Sequence, residues 1–210
     1  MFPWARMDGR FAGFCLAVMV LPVMAGEFSV TVTTADGKPL PDAVVWVSPG
    51  AAPLSPAPSV MDQLDKRFKP FVLPVQTGTQ VDFPNSDSIN HHVYSFSPAK
   101  RFELKLFPGS HNAHTVTFDK PGLVTLGCNI HDWMLAYILV LPTSSFGKTN
   151  AQGELKLPVP DGMVKEISVW HPQLASAPEP LVQKVSGVHM QIRLDKPLKP
   201  DPRRRPRGYD

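Results

Sequence analysis

Cysteine is nearly absent: among 210 residues only Cys15 and Cys128 carry a thiol. That excludes the disulfide framework by which many small exported domains are held together. Sustained apolar periodicity of 3.6 residues is also missing beyond the N-terminal stretch, which excludes long amphipathic helices. Charge is sparse, with 19% charged residues and a formal net charge of +3. The basic excess gathers in Lys196, Lys199, Arg203, Arg204, Arg205 and Arg207 among prolines, with no aromatic residues interleaved, so a nucleic-acid groove is not expected. No Ser-His-Asp order, paired-acid motif or phosphate loop occurs, and the chain is not expected to be an enzyme.

What is plentiful is turn chemistry. The 24 prolines and 14 glycines punctuate short apolar stretches, a pattern of many strands, and the expected class is all-β. Phe28, Val30 and Val32 alternate with polar residues; Asp36-Gly37 turns the chain and Ala43–Val47 follows, in a strand-turn-strand pattern. Denser strand signals run through Val72–Val75, Thr79–Phe83, His92–Phe96, Phe102–Leu106, His114–Phe118, Leu123–Cys128 and Ala136–Leu141. Six or seven short strands at that spacing suggest a sandwich or barrel. Turn signals then recur at Asn150–Gly153 and Asp161-Gly162, followed by Leu155, Leu157, Ile167 and Val169.

The N-terminus has two arginines in Met1–Arg10, an almost wholly apolar Phe11–Met24 and a small residue at Ala25. This is the pattern of a cleaved secretory signal peptide, too short to span a bilayer comfortably, with Met7 as an alternative start. The expected location is therefore the periplasm or the exterior. Cys15 would leave with the signal, making Cys128 the sole cysteine of the mature chain. An unpaired cysteine in an exported protein is a buried thiol, an intermolecular disulfide or a ligand.

Its neighbours favour the ligand. In Leu123–Met134, alternation turns Val124, Leu126 and Cys128 to one strand face, and a tight loop then presents His131 and Met134. Thiolate, imidazole and thioether are soft or borderline donors suited to copper; a second histidine from elsewhere would complete a blue-copper set. Zinc also accepts Cys and His, but a thioether is a poor zinc ligand. His111, His114, His171 and His189 lack motif context and read as ordinary surface or edge residues, and Met163 and Met190 read as packing. Trp133 reads as a shield against water.

These residues resemble the cupredoxins, particularly the short-loop plastocyanin and amicyanin type. More closely, Phe83–Asp87, His91–Ser97 and Gly127–Met134 are similar to motifs of exported proteins labelled methylamine utilization-like. The resemblance covers about Met61–Leu141 closely and implies a Greek-key β-sandwich with one type 1 copper ion. The family's first histidine stands six residues after the Asn of an Asn-x-Asp turn, which here gives His91. Strand parity points the other way, because Tyr94 and Phe96 share a face with His92 and read as core. Turn spacing is preferred, since edge strands near sites often bulge. The implied ligand set is His91, Cys128, His131 and Met134. Two departures stand out: His92 replaces the family's Asn after the first histidine, and Gly127 replaces an aromatic residue before the cysteine.

Thr33–Val44, with Thr149–Leu155 and Asp161-Gly162, resembles a carboxypeptidase-regulatory-like sandwich interrupted by the central domain. The expected organisation is a signal at 1–25, the first part of a small sandwich at 26–48, a Pro/Ala-rich linker at 49–59, a cupredoxin domain at 60–142, the second part of the small sandwich at 143–194, and a basic disordered tail at 195–210. The expected function is a monomeric one-electron carrier between unidentified redox partner proteins, with weak membrane-surface contact by the tail. The alternative is a copper-handling or adhesive module.

Overall fold

A computed structural model describes residues 25–48, 50, 56–160, 164–174 and 176–203, without the side chains of 25, 26, 110–113 and 160. The expected signal before Ala25, most of the expected linker, Met163, the His111 side chain and residues 204–210 lie outside that description.

The described residues contain strands and no helix. In chain order they are β1 (Ala25–Thr33), β2 (Val44–Ser48), β3 (Ser59–Val60), β4 (Asp62–Gln63), β5 (Phe68–Lys69), β6 (Val72–Gln76), β7 (Thr79–Asn85), β8 (His91–Ser97), β9 (Lys100–Leu106), β10 (Ser110–Phe118), β11 (Gly122–Cys128), β12 (Leu135–Leu141), β13 (Phe146–Lys148), β14 (Glu154–Pro160), β15 (Glu166–Trp170), β16 (Leu181–Lys184) and β17 (His189–Arg193). They form two sandwiches, the all-β organisation expected from the sequence.

The central sandwich pairs a sheet of order β10-β7-β4-β5, with β3 beside β7, against one of order β6-β12-β11-β8-β9. Its core draws Met61, Phe68, Val81, Phe83 and Phe118 from the first sheet and its loops, and Val93, Leu126, Cys128, Ala136 and Ile138 from the second. Burial follows the two-residue period of each strand: in β7, Thr79, Val81, Phe83 and Asn85 are buried while the residues between them are not.

The flanking sandwich is assembled from both sides of the central one. One sheet has the order β14-β1-β17 and the other β13-β2-β15-β16. Phe28, Val30, Val32, Leu157 and Ile192 face Val45, Val47, Ile167 and Val169 across its core. The strand-turn-strand pattern near the N-terminus is therefore not a hairpin, for β1 and β2 belong to opposite sheets. Their apolar faces meet across the core, which two paired neighbours in one sheet could not do. The chain leaves β1 through a local turn closed by Thr34 N–H to Lys38 O at 2.8 Å, then crosses over.

A third apolar cluster joins the sandwiches. Val44 and Trp170 of the flanking module meet Val72, Leu139 and Leu141 of the central one. Phe71 packs edge-on to Tyr137 at 5.5 Å between centroids, and Tyr137 to Trp170 at 5.6 Å. His171, expected at the surface, follows Trp170 into this junction and is only 6% exposed. The tail also departs from expectation. Residues 195–203 are held against the body, with Lys199 N–H donating to Gln173 O at 2.8 Å and Gln173 Nε2 donating to Lys199 O at 2.8 Å.

Candidate metal centre

The site forms where β8 and the β11–β12 loop meet at one end of the central sandwich. Gly127 pairs with Tyr94, and Cys128 with Val93, so the end of β11 lies alongside the start of β8. The loop is tight: Met134 N–H donates to His131 O at 2.9 Å. Asn129 N–H donates to His92 O at 3.1 Å, tying the loop to β8 through the backbone.

This geometry brings together three of the four residues singled out in the sequence. Cys128 Sγ lies 3.9 Å from His91 Nδ1 and 3.8 Å from His131 Nδ1. All three donor atoms fall within 4.8 Å of one another. An ion bonded at about 2.0 Å to nitrogen and about 2.3 Å to thiolate, with about 120° between the bonds, separates N from S by about 3.7 Å. The donor set fits one metal ion. Met134 is 2% exposed and lines the same cavity as Cys128.

His91 is held by the Asn85–Asp87 turn, which the sequence reading used only for its spacing. Its Nε2 lies 2.7 Å from Asp87 Oδ2, so the imidazole donates its proton there and keeps the Nδ1 lone pair toward the sulfur. Asp87 is itself fixed by the N–H groups of Asp65 at 2.8 Å and Lys66 at 2.9 Å. Asn85, fully buried, closes the turn by accepting Asp87 N–H at 3.0 Å and donating to Ile89 O at 2.8 Å and Phe107 O at 3.0 Å. The Asn-x-Asp turn that located His91 thus also supplies its orienting carboxylate. That role could have been inferred from Asp87 standing four residues before His91.

Electrostatics favour the charged form of the sulfur. Burial opposes the thiolate, yet the neighbouring His91 imidazole, the N–H groups of His92 and Ile130 and the His131 imidazole outweigh it and hold the thiol down to about 6. Burial likewise opposes a charged His91, but Cys128 and Asp87 together raise its pKa.

Parity on β8 runs opposite to the expectation that Tyr94 and Phe96 are core. His91, Val93 and Ser95 are the buried set, and Phe96 is 75% exposed. The two rings lie on the outer face, 5.2 Å apart. A Cβ on Gly127 would stand 2.7 Å from the Tyr94 ring, so a side chain there would have to displace the ring. Tyr94 on the neighbouring strand thus fills the space over the residue preceding the cysteine. His92 points outward and bonds Glu103 Oε1 through Nε2 at 2.6 Å, away from the cluster.

His131 is half-buried, its ring tilted between those of His91 at 5.0 Å and Trp133 at 5.1 Å. Trp133 Nε1 donates to Lys66 O at 3.3 Å, which anchors the loop to the segment that also grips Asp87. His114 and His189 are exposed and remote in sequence from the cluster, and His189 shares a hydrogen bond with Ser29 Oγ.

The site and fold define an all-β sandwich protein carrying a His–Cys–His cluster. No family model matches the sequence, and no curated protein matches it. Among solved structures the chain is similar to the copper-containing nitrite reductase of Thermus scotoductus SA-01, at 27% identity over 52% of this chain with a TM-score of 0.38. It spans only 28% of that enzyme's chain. It is also similar to the purple cupredoxin of Nitrosopumilus maritimus, at 21% identity over 40% of this chain and 99% of that one, TM-score 0.35. A reduced amicyanin variant matches at 18% identity over 46% of this chain and 98% of that one, TM-score 0.36.

Proposed function

We propose that the protein is an exported type 1 copper protein that carries single electrons between larger redox proteins. The observation that carries the proposal is the convergence of His91 Nδ1, Cys128 Sγ and His131 Nδ1 within 4.8 Å at a buried cysteine that has no disulfide partner among the described residues. Met134, buried beside the cluster, would complete the set as a weak thioether donor. A copper ion held there would supply the one-electron couple, Cu(II) to Cu(I). The polypeptide keeps the geometry fixed: Asp87 orients His91, backbone N–H groups hold the sulfur, and the loop hydrogen bond sets His131 against Met134. Four protein donors leave no position for a substrate, which suits a carrier and not an enzyme.

His131 is the proposed point of exchange, being the least buried of the ligands. Next to it in the chain Ile130 is 52% exposed, and Phe107, which lines a cavity with Ile130 and His91, is 66% exposed, an apolar rim against which a redox partner could pack. The mature protein is proposed to act as a monomer in the periplasm or outside the cell, with no nucleic-acid partner and at most weak attraction of its basic tail to a membrane surface. The likeness to methylamine utilization-like proteins is one of motif and names no partner.

Absorption and EPR spectra of the copper-loaded protein beginning at Gly26 test the proposal. The Cu(II) form is expected to show intense thiolate charge transfer in the visible, abolished by Cys128→Ser. A colourless Cu(II) protein with an ordinary tetragonal EPR signal would rule it out.

A further inference from the structure

After β17 the chain returns to the metal end of the central sandwich. Leu194 N–H donates to Thr33 O at 2.9 Å, and the paired bonds between Lys199 and Gln173 fix the next stretch. From that clamp the chain reaches Pro202 and Arg203. The Arg203 guanidinium sits 4.4 Å over the Phe71 ring, while its Nε and Nη2 donate to Asp201 Oδ1 at 3.0 Å and Oδ2 at 2.7 Å. A planar cation gripped at its edge by a carboxylate and laid flat on a ring has few alternative placements.

Two cavities show what this contact covers. One of about 430 Å³ is lined by Tyr94, Cys128, Trp133, Met134 and Pro202, among others. A second, of about 220 Å³, is lined by Phe68, Phe71, Trp133, Met134 and Arg203, among others. Trp133, Met134 and Leu135 border both, and consecutive tail residues supply a wall of each. The tail therefore crosses the chain at the position of Met134, although about seventy residues separate them in sequence.

We propose that Asp195–Arg203 is a built-in cover for the methionine side of the metal centre, and that Arg203 is the positioning residue that clasps it to Phe71. The cover is a property of the polypeptide; only what it protects rests on the function proposed above. It joins the flanking sandwich to the redox site and limits the access of water and small reagents from that side.

The test measures alkylation of Cys128 by iodoacetamide in the full-length, metal-free protein, read at that residue by peptide mass spectrometry. All variants are compared at one pH, about 8, so that the difference in rate reports access. Arg203→Ala is expected to raise the rate about two- to five-fold, the change in open population that loss of an exposed cation–π contact corresponds to. Lys156→Ala, which breaks the exposed ion pair with Glu27 at 2.8 Å on the outer sheet, is expected to leave it unchanged. An unchanged rate in Arg203→Ala, or an equal rise in Lys156→Ala, would overturn the cover. Because no copper is present, a failed blue spectrum would sink the carrier proposal without touching this one. An unmoved alkylation rate would sink the cover and leave the carrier standing.

Discussion

The two sandwiches use the same apolar architecture and place their buried polar groups to different ends. In the flanking module, Thr149 Oγ1 donates to Leu40 O at 2.7 Å and accepts Ala43 N–H at 3.0 Å, stitching backbone to backbone. In the central module, Asn85, Asp87, His91 and Cys128 form a chain of contacts that ends on one sulfur atom. Burying polar groups costs free energy in either place unless each is hydrogen-bonded. The flanking module gains closure of a crossing loop, and the central module gains a preorganised donor set. One sandwich is a scaffold in which polar groups serve the chain, and the other is a scaffold in which the chain serves polar groups.

The largest test of that contrast is Ile192→Ala. This side chain is 1% exposed in the flanking core, and its truncation should cost about 2–5 kcal/mol. Hydrogen exchange should show the loss on β1, β14 and β17, while β11 and the copper spectrum stay as they were. Loss of the spectrum together with the flanking core would mean that the two modules unfold as one unit.

A somewhat smaller effect belongs to His171. Burial, with a contribution from Arg203, holds its pKa down to about 4, against opposing pulls from Asp42 and Asp201. An unfolded histidine titrates near 6.5, so below that pH the unfolded chain takes up a proton that the folded one refuses. Stability is therefore complete above about pH 6.5 and falls as pH drops toward 4, by about 3 kcal/mol at the end of the window. Denaturant melts from pH 7 to 4 on the wild type and His171→Gln should show the slope difference between them. Parallel curves would refute the buried neutral imidazole.

Asp87→Ala should lower copper affinity about 10- to 100-fold, because His91 loses the acceptor that fixes its tautomer. Competition with a chelator measures this directly, and an unchanged affinity would mean that the turn alone orients the ring. The smallest effect is expected from His92→Ala, which breaks a partly exposed pair with Glu103 and should change stability by about 0–1 kcal/mol with the blue band retained. His91→Ala should abolish that band; the reverse outcome would exchange the roles of the two histidines.

Much of the centre was legible because its chemistry is compressed into seven residues, Cys128 to Met134, at the end of an alternating strand. His91 was legible through the Asn85–Asp87 turn but not through hydrophobicity. Tyr94 and Phe96 are the aromatic residues of β8, yet they face outward, where Gly127 leaves room for the Tyr94 ring. A glycine opposite an aromatic residue is a cross-strand relation, visible only once the register is known. His171 and the tail were misread for a related reason. Each is polar or charged in a local window, and each is ordered by residues distant in sequence, His171 at a junction built from β2, β6, β12 and β15, and Arg203 by Phe71. The N-terminal strand-turn-strand pattern is present but its strands are not partners, because those of β1 lie more than a hundred residues away, in β14 and β17.

That last pairing gives the protein a mechanical character. β1 and β17 run parallel, in register from Ser29↔His189 to Thr33↔Arg193. A pull applied at Ala25 and at Arg193 in opposite directions would load this ladder in shear, so that its hydrogen bonds resist together and do not open one at a time. The line of force would pass from β1 directly into β17 and bypass everything threaded between them. The metal end of the central sandwich would thus sit outside the load path, its donor distances undisturbed by tension on the chain until the β1–β17 ladder itself gave way.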